Sequence, residues 1–451
     1  MRISWFSRIG EKLVFLISTT LIIQFCLVGN GCAVEEKAWV YPARENGLWG
    51  YIDRSGTFVI DPQWKSVGEM RGNGYAWVSA PPIEREVFSE ENGWTIESVS
   101  QEGIIDMRGE YVVPLQEESA EEGYSGEYFG GRDTGIITLG TLAFSVADGV
   151  LLPEKWEYLP WIDHKSTLVA AYSEDDTEMG FVDRRSGEVI IDFLYSVSNV
   201  KFCEGYVLLT NAEDGGYNLI NEEGEAFALP DGYELDWCSG FSEGLMPICS
   251  TESGLYGFCD QEGTLKIEAV FEAVDAFHEG YASICVNGLW GHIDKTGNII
   301  VPPMFDSEAY RFENGLAVLH GENEDMVISP DGSIIFAYPN ARIWDFDSEG
   351  VAIFMTETGM GIVDEKGKIL LDPNLGYEFV NDFAYGYAQP FPEGLMRVKM
   401  HGKIGYVNRS GELVIPFIWD QAEPFSHGLA RVMTNDKLSY IDMKGNVIWE
   451  E

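Results

Sequence analysis

Positive charge is scarce in this 451-residue chain: 29 Lys and Arg stand against 74 Asp and Glu, a formal charge of −45 at pH 7. A surface of that sign repels phosphate backbones and anionic lipid, so nucleic acid is excluded as a partner and so is electrostatic docking on a membrane. It favours solubility or cationic partners. Histidine is also sparse. The six histidines, His164, His278, His292, His320, His401 and His427, are dispersed over different stretches of the chain. H-E-x-x-H, G-x-S-x-G and G-x-x-x-x-G-K-[ST] are all missing, so the sequence offers no metalloprotease, nucleophile-elbow or phosphate-loop signature. The Gly-rich stretch from Gly123 to Gly135 follows no strand of a βαβ unit and reads as an insertion. Seven cysteines occur without a C-x-x-C, which excludes a zinc or thioredoxin-type site and argues against a disulfide framework. Cys259 reads as a small core residue, and Cys249 and Cys285 occupy equivalent positions in successive units. No cofactor and no metal site is expected. Carboxylates are so numerous that mere proximity of two would not establish a glycosidase pair.

Long hydrophobic runs are absent except at the start. Arg2, Arg8 and Lys12 precede a sixteen-residue apolar stretch, Leu13 to Val28, followed by Gly29, Asn30, Gly31, Cys32 and Ala33. A positive flank, a short apolar run and small residues at a cut site define an export signal over residues 1–33. The run is short for a membrane span of about 20 residues. Gly31-Cys32 suits lipoprotein processing with lipid on Cys32, although Gly29 stands where a lipobox has leucine. Cleavage after Ala33 to a secreted form, and an uncleaved anchor, stay open. The expectation is an exported protein, held outside the cytoplasm by a lipid or secreted. Removing residues 1–33 takes away three cations and one carboxylate and leaves −47.

What the chain has in abundance is glycine, 50 residues, and aromatics, 59. Eleven glycines recur in register: Gly56, Gly109, Gly149, Gly187, Gly224, Gly263, Gly297, Gly332, Gly367, Gly411 and Gly445. Their spacings run from 34 to 53, and four of the ten are 34 or 35. A fixed period of that length signals a repeat array. The clearest copies are GLWGYIDRSGTFVIDP from Gly47, GLWGHIDKTGNIIVPP from Gly288 and GKIGYVNRSGELVIP from Gly402.

Each good copy holds three short apolar segments rich in β-branched and aromatic residues and bounded by Gly, Asn or Pro, which is strand grammar. In the first segment, positions two and four after a leading glycine are apolar, as in Ala282 and Ile284 or Ala430 and Val432. A period of two puts them on one buried face. Asp or Asn stands three before the turn glycine at Asp53, Asp106, Asn221, Asp260, Asp294, Asp364, Asn408 and Asp442. Such a residue bonds its own backbone two residues on, and glycine closes the hairpin in the left-handed conformation. These aspartates therefore read as turn chemistry rather than calcium ligands, which would need several oxygens in one loop. A second glycine recurs inside the middle segment, at Gly50, Gly180, Gly257, Gly291, Gly361 and Gly405, which implies close approach of a backbone or ring. Phe202, Phe241, Phe277, Phe312 and Phe425, each in Phe-x-x-Gly, are expected to plug the junctions between units.

At these residues the chain resembles the WG-repeat (KWG) family of bacterial β-repeat proteins, over roughly residues 36 to 451. The likeness is strong in copies one and six to eleven and weak between about residues 81 and 175. It implies an all-β array of about eleven three-stranded antiparallel meanders, open and solenoid-like or propeller-like. It implies no catalytic residue. Residues 34–175 hold the partly degenerate N-terminal repeats and 176–451 the C-terminal ones. Both ends of the array are in phase, with no strand left over for exchange, which argues for an open array.

The expected role is that of a non-enzymatic, extracytoplasmic binding or scaffold protein with an envelope protein or glycan as partner. The alternative is a cell-wall or polysaccharide enzyme using carboxylates in a groove. Specific function is expected where the repeat breaks down. One such stretch is Pro81 to Gly135. The other is Asn374 to Pro392, whose Tyr377, Phe379, Phe383, Tyr385 and Tyr387 form a candidate contact surface.

Overall fold

The computed structural model describes residues 39–71, 74–89, 93–117, 136–139, 142–146, 149–153, 156, 166–173, 178–196, 202–305, 311–321, 324–380 and 391–451. They form ten small antiparallel sheets of three to five strands, arranged as a β-propeller. The unit starting at Tyr281 shows the pattern. Tyr281–Val286 pairs with Leu289–Asp294, which pairs with Ile299–Phe305. The first turn is Asn287-Gly288, with φ of 54° and 72°. Positive φ at both residues is what a two-residue hairpin of right-handed twist requires.

The second turn is the Asp-x-x-Gly corner. The Asp294 carboxylate accepts from the backbone N–H of Thr296 at 2.9 Å and of Asn298 at 3.0 Å, and Gly297 stands at φ +82°. The same pair of bonds, from the residues two and four on, recurs at Asp53, Asp106, Asn221, Asp260, Asp364, Asn408 and Asp442. Past the corner the register shifts by a bulge, and the middle-strand glycine lies against it. A Cβ on Gly291 would stand 2.4 Å from the Val301 carbonyl oxygen, and one on Gly50 equally close to that of Ile60.

Sequence periodicity gives three strands per unit; six of the sheets have a fourth. It is a short strand of two residues that follows the preceding unit's third strand and pairs with the next unit's first. Ala273–Val274, one residue beyond Leu265–Phe271, pairs with Ile284 and Cys285. At Val189–Ser196 the two strands run together without a break, so that two units share the five-stranded sheet. Eleven units therefore make ten sheets.

Each sheet is covered on both faces by its neighbours. Several first strands are buried along both sides: Ser283, Val318 and Ile353, at the third position, are as buried as Ala282 or Ala352 at the second, whereas Leu208, Arg397 and Arg431 are half-buried there. The face that alternation puts inside is buried, and at Ser283, Val318 and Ile353 the opposite face is buried as well, because a sheet sandwiched between two others has no solvent face in its middle. The phenylalanines do sit in the junctions. Phe277, 1% exposed, packs with Phe258 and Ile267 of the unit before and with Ala282, Ile284 and Ile293 of its own.

The turn glycines show how the units go round. Gly109 faces Ile60 of the unit before, Gly224 faces Ile190, Gly297 faces Ile267, Gly332 faces Val301, Gly411 faces Leu370 and Gly445 faces Ile415. Gly56, in the first unit, faces Ile448, in the eleventh. The same step that joins neighbours thus joins the two ends. Tyr41, Ala43 and Ile52 pack with Leu429 and Tyr440, and Phe58 meets Trp449 edge-on. The Tyr440 hydroxyl donates to the Pro42 carbonyl at 2.9 Å, the Tyr41 hydroxyl to that of His427 at 2.5 Å, and Arg44 pairs with Glu451 at 2.8 Å. The open array argued from the in-phase ends is corrected here. The ring closes through side chains and needs no exchanged strand.

Candidate interaction site

Most of the polar groups that might serve chemistry serve the ring. A set of glutamates just before the first strand was not anticipated. Glu204, Glu243, Glu279 and Glu393 adopt φ of 50° to 54°. A left-handed conformation costs a non-glycine residue about 1–2 kcal/mol. Each carboxylate offsets that cost by accepting from a backbone N–H at the same turn of the next unit: Gly244 at 3.0 Å, Gly280 at 2.9 Å, Gly315 at 2.8 Å and Gly428 at 2.8 Å. The recurring Glu-Gly dipeptide is the signal that finds them. Lys295 adds an ion pair to Glu243 at 2.9 Å, and Arg409 one to Asp347 at 2.9 Å, both between successive units.

The buried ionisable groups are braces as well. Asp325 accepts from His320 Nδ1 at 2.7 Å and from the Ile343 N–H at 2.7 Å, tying one unit to the leading strand of the next. Burial pulls the His320 imidazole below its ordinary value, against the opposing pull of Asp325. Cys259 is fully buried, as its place in the repeat implied, and burial pushes its thiol up to about 12. Cys249 and Cys285 are unpaired thiols, as are the other described cysteines. At the closure of the ring a small cavity is lined by Trp39, Tyr41, Glu69, Glu423, Arg431 and Tyr440, among others. Arg431 is bound to Glu423 there, and burial raises the Tyr440 phenol, keeping it a neutral donor. Among the described residues no group of three His, Cys, Asp or Glu is placed to hold a metal ion.

The aromatic candidates fall in different places. Tyr377 is half-buried and packs edge-on against Phe417 in the core between two units. Phe379 lies in the short strand Glu378–Phe379, opposite Val398. Phe383, Tyr385 and Tyr387 lie outside the described residues, as does Cys32.

The other irregular stretch holds a distinct element. In the second unit the first and second strands, Tyr75–Ser89 and Gly93–Asp106, continue far past the length the ring uses. Elsewhere these strands are four to six residues long, as in Tyr281–Val286 and Leu289–Asp294. Here a register shift between Ala80 and Ile83 is followed by seven further pairs, from Ile83↔Val99 to Ser89↔Gly93. At about 3.3 Å per residue that is an arm of about 20 Å. The third strand, Tyr111–Glu117, accompanies it only as far as Gln101↔Glu117. The arm stands on the side of the ring opposite the Asp-Gly corners, because it replaces a two-residue hairpin turn. Trp94 is 72% exposed and Ile96 69%, and Ile83, Glu84, Glu86 and Glu97 are exposed too. Pairing of Glu86 with Ile96 and of Glu84 with Ser98 puts carboxylates and apolar residues on the same face. Arg85 is engaged by Glu117 at 2.7 Å.

The family model described as the WG containing repeat matches this chain at residues 49–79, 256–290, 290–319, 360–403 and 404–437. No curated protein matches it. Among solved structures, a eukaryotic initiation factor is 10% identical with a TM-score of 0.38, over 92% of this chain and 95% of that one. Kluyveromyces lactis Hsv2 is 10% identical with a TM-score of 0.27, over 54% and 89%. Citrobacter koseri AztD is 15% identical with a TM-score of 0.21, over 55% and 78%.

Proposed function

For this chain, which carries WG-containing repeats at five places within a ring of eleven units, we propose a non-enzymatic binding or scaffold role at the cell envelope, with the arm as its contact element. The observation that carries the reading is the division of labour among residues. Turn aspartates, junction glutamates and buried tyrosines are occupied in corners, unit-to-unit bonds and closure, whereas the arm extends past the length the ring uses and presents Trp94 and Ile96 to solvent. Exposed aromatic and aliphatic side chains on a rigid support are what contact surfaces use. Export is proposed from the N-terminal pattern of Arg2, Arg8, Lys12, the apolar run and Cys32. On this reading the ring is held outside the cytoplasm by lipid on Cys32, and the arm meets an envelope protein or glycan.

Two experiments test it. Growth with a radiolabelled fatty acid labels the wild-type chain and leaves Cys32→Ser unlabelled; label on neither overturns the lipid anchor. Binding is tested by recovering partners from envelope extract with the wild-type chain and with an arm-deleted chain. Loss of the same partners on deletion supports the reading. Turnover of a glycan by the chain, abolished by substitution of one carboxylate, contradicts it.

A further inference from the structure

We propose that the arm is a docking site for a basic polypeptide segment, one that sets lysine or arginine beside a large apolar residue. This rests on the contact role just proposed for the arm and names its partner class.

The charge of the element decides between occupants. Residues 83–99 contain five glutamates, Glu84, Glu86, Glu90, Glu91 and Glu97, and one cation, Arg85, whose charge is already met by Glu117. Approach of a second acidic arm is repulsive, so a second copy of this chain is disfavoured, the more so with −45 on each molecule. An uncharged glycan would use the aromatic surface and leave the carboxylates unemployed. A basic segment uses both. Its apolar residue covers Trp94 and Ile96, and its cations lie beside Glu84 and Glu86 on the same face, with Glu97 on the other. The antiparallel pairing holds these side chains in fixed register, so a segment is read by the spacing of its charges and apolar residue as well as by total charge. The field of the whole molecule steers such a segment in and raises the association rate.

The test uses the full chain and a fluorescent peptide of alternating lysine and leucine, titrated by anisotropy at about 150 mM salt, where charges farther apart than about 8 Å are screened. Three variants are compared: Trp94→Ala with Ile96→Ser; Glu84→Gln with Glu86→Gln and Glu97→Gln; and a control, Glu213→Gln with Glu223→Gln and Glu252→Gln, which removes three exposed carboxylates from other units. Each arm variant is expected to weaken binding about tenfold or more, as loss of a central contact does. The control is expected to bind as wild type. Circular dichroism and the unfolding midpoint should match wild type in all three. Equal weakening by the control means diffuse attraction to an acidic protein and overturns the proposal, as does wild-type binding by both arm variants. Arm-dependent binding of a neutral oligosaccharide, or arm-dependent dimers in sedimentation, with no arm-dependent peptide binding also overturns it while leaving the contact role of the arm intact. Failure of every ligand to depend on the arm overturns both.

Discussion

Asp294 does several jobs at once at a corner of its unit. Its carboxylate accepts from two backbone N–H groups and from the Thr296 hydroxyl at 2.6 Å, and the Thr296 bond holds it at about 2, below the ordinary 3.8. Ser55 lowers Asp53 in the same way, and Ser329 lowers Asp331. A carboxyl whose folded value is depressed binds fewer protons folded than unfolded, so its contribution is present above about pH 4 and is lost as pH falls toward 2. The thermal midpoint should therefore fall between pH 4 and pH 2. In Asp294→Asn, which keeps the acceptor and removes the charge, the fall should be shallower; an unchanged pH profile would contradict the assignment. Glycines make a second comparison. Gly288 needs its positive φ and has open space around it, whereas Gly291 has the Val301 carbonyl where a Cβ would go. Gly288→Ala should cost about 1 kcal/mol from conformation, and Gly291→Ala about 2–3 kcal/mol from the clash, as read from urea unfolding.

At the scale of elements, the ring's units and the arm answer to different forces. A unit is held by what lies between it and its neighbours. Phe277→Ala should cost about 3–5 kcal/mol in denaturant unfolding, because the cavity opens between two sheets that cannot collapse onto it. The arm's pairs run past the length the ring's strands use, with Ile83, Trp94 and Ile96 exposed. Replacing residues 83–99 with a two-residue turn should leave the unfolding midpoint within about 2 °C of wild type, since few buried contacts are removed. A large loss would mean that the arm is part of the ring. Sequence made the corners and plugs legible, because Asp-x-x-Gly and Phe-x-x-Gly encode local backbone bonds and a large side chain at a fixed phase. It did not reveal the short fourth strand, whose two residues carry no period. Nor did it reveal the arm. Pro81 and Pro82, a bulge and a string of glutamates looked like a break in the repeat, although Ile83 to Ser89 and Gly93 to Val99 are two paired strands. The aromatic stretch after Asn374 stood out by composition, yet Tyr377 is spent on packing against Phe417.

Across the whole molecule, closure was the feature hardest to read, since it depends on the small rotation accumulated over eleven units rather than on any one residue. Nothing in Tyr41 or Tyr440 marks them as partners 398 to 399 residues apart in sequence, and only the Gly56–Ile448 contact repeats a step already visible between other neighbours. Once closed, every unit has two neighbours, and an acidic chain can bury its sheets without an exposed end face. Tyr440→Phe removes the donor to Pro42 and should lower stability by about 1–2 kcal/mol, whereas in an open array the end units would not meet and the change would cost little. The most direct measurement is small-angle X-ray scattering from residues 34–451 as a monomer. A closed ring predicts a radius of gyration of about 22–26 Å, near that of a compact chain of this length. Ten sheets stacked in line at about 10 Å each would extend about 100 Å and give about 30 Å or more, and that result would contradict the ring.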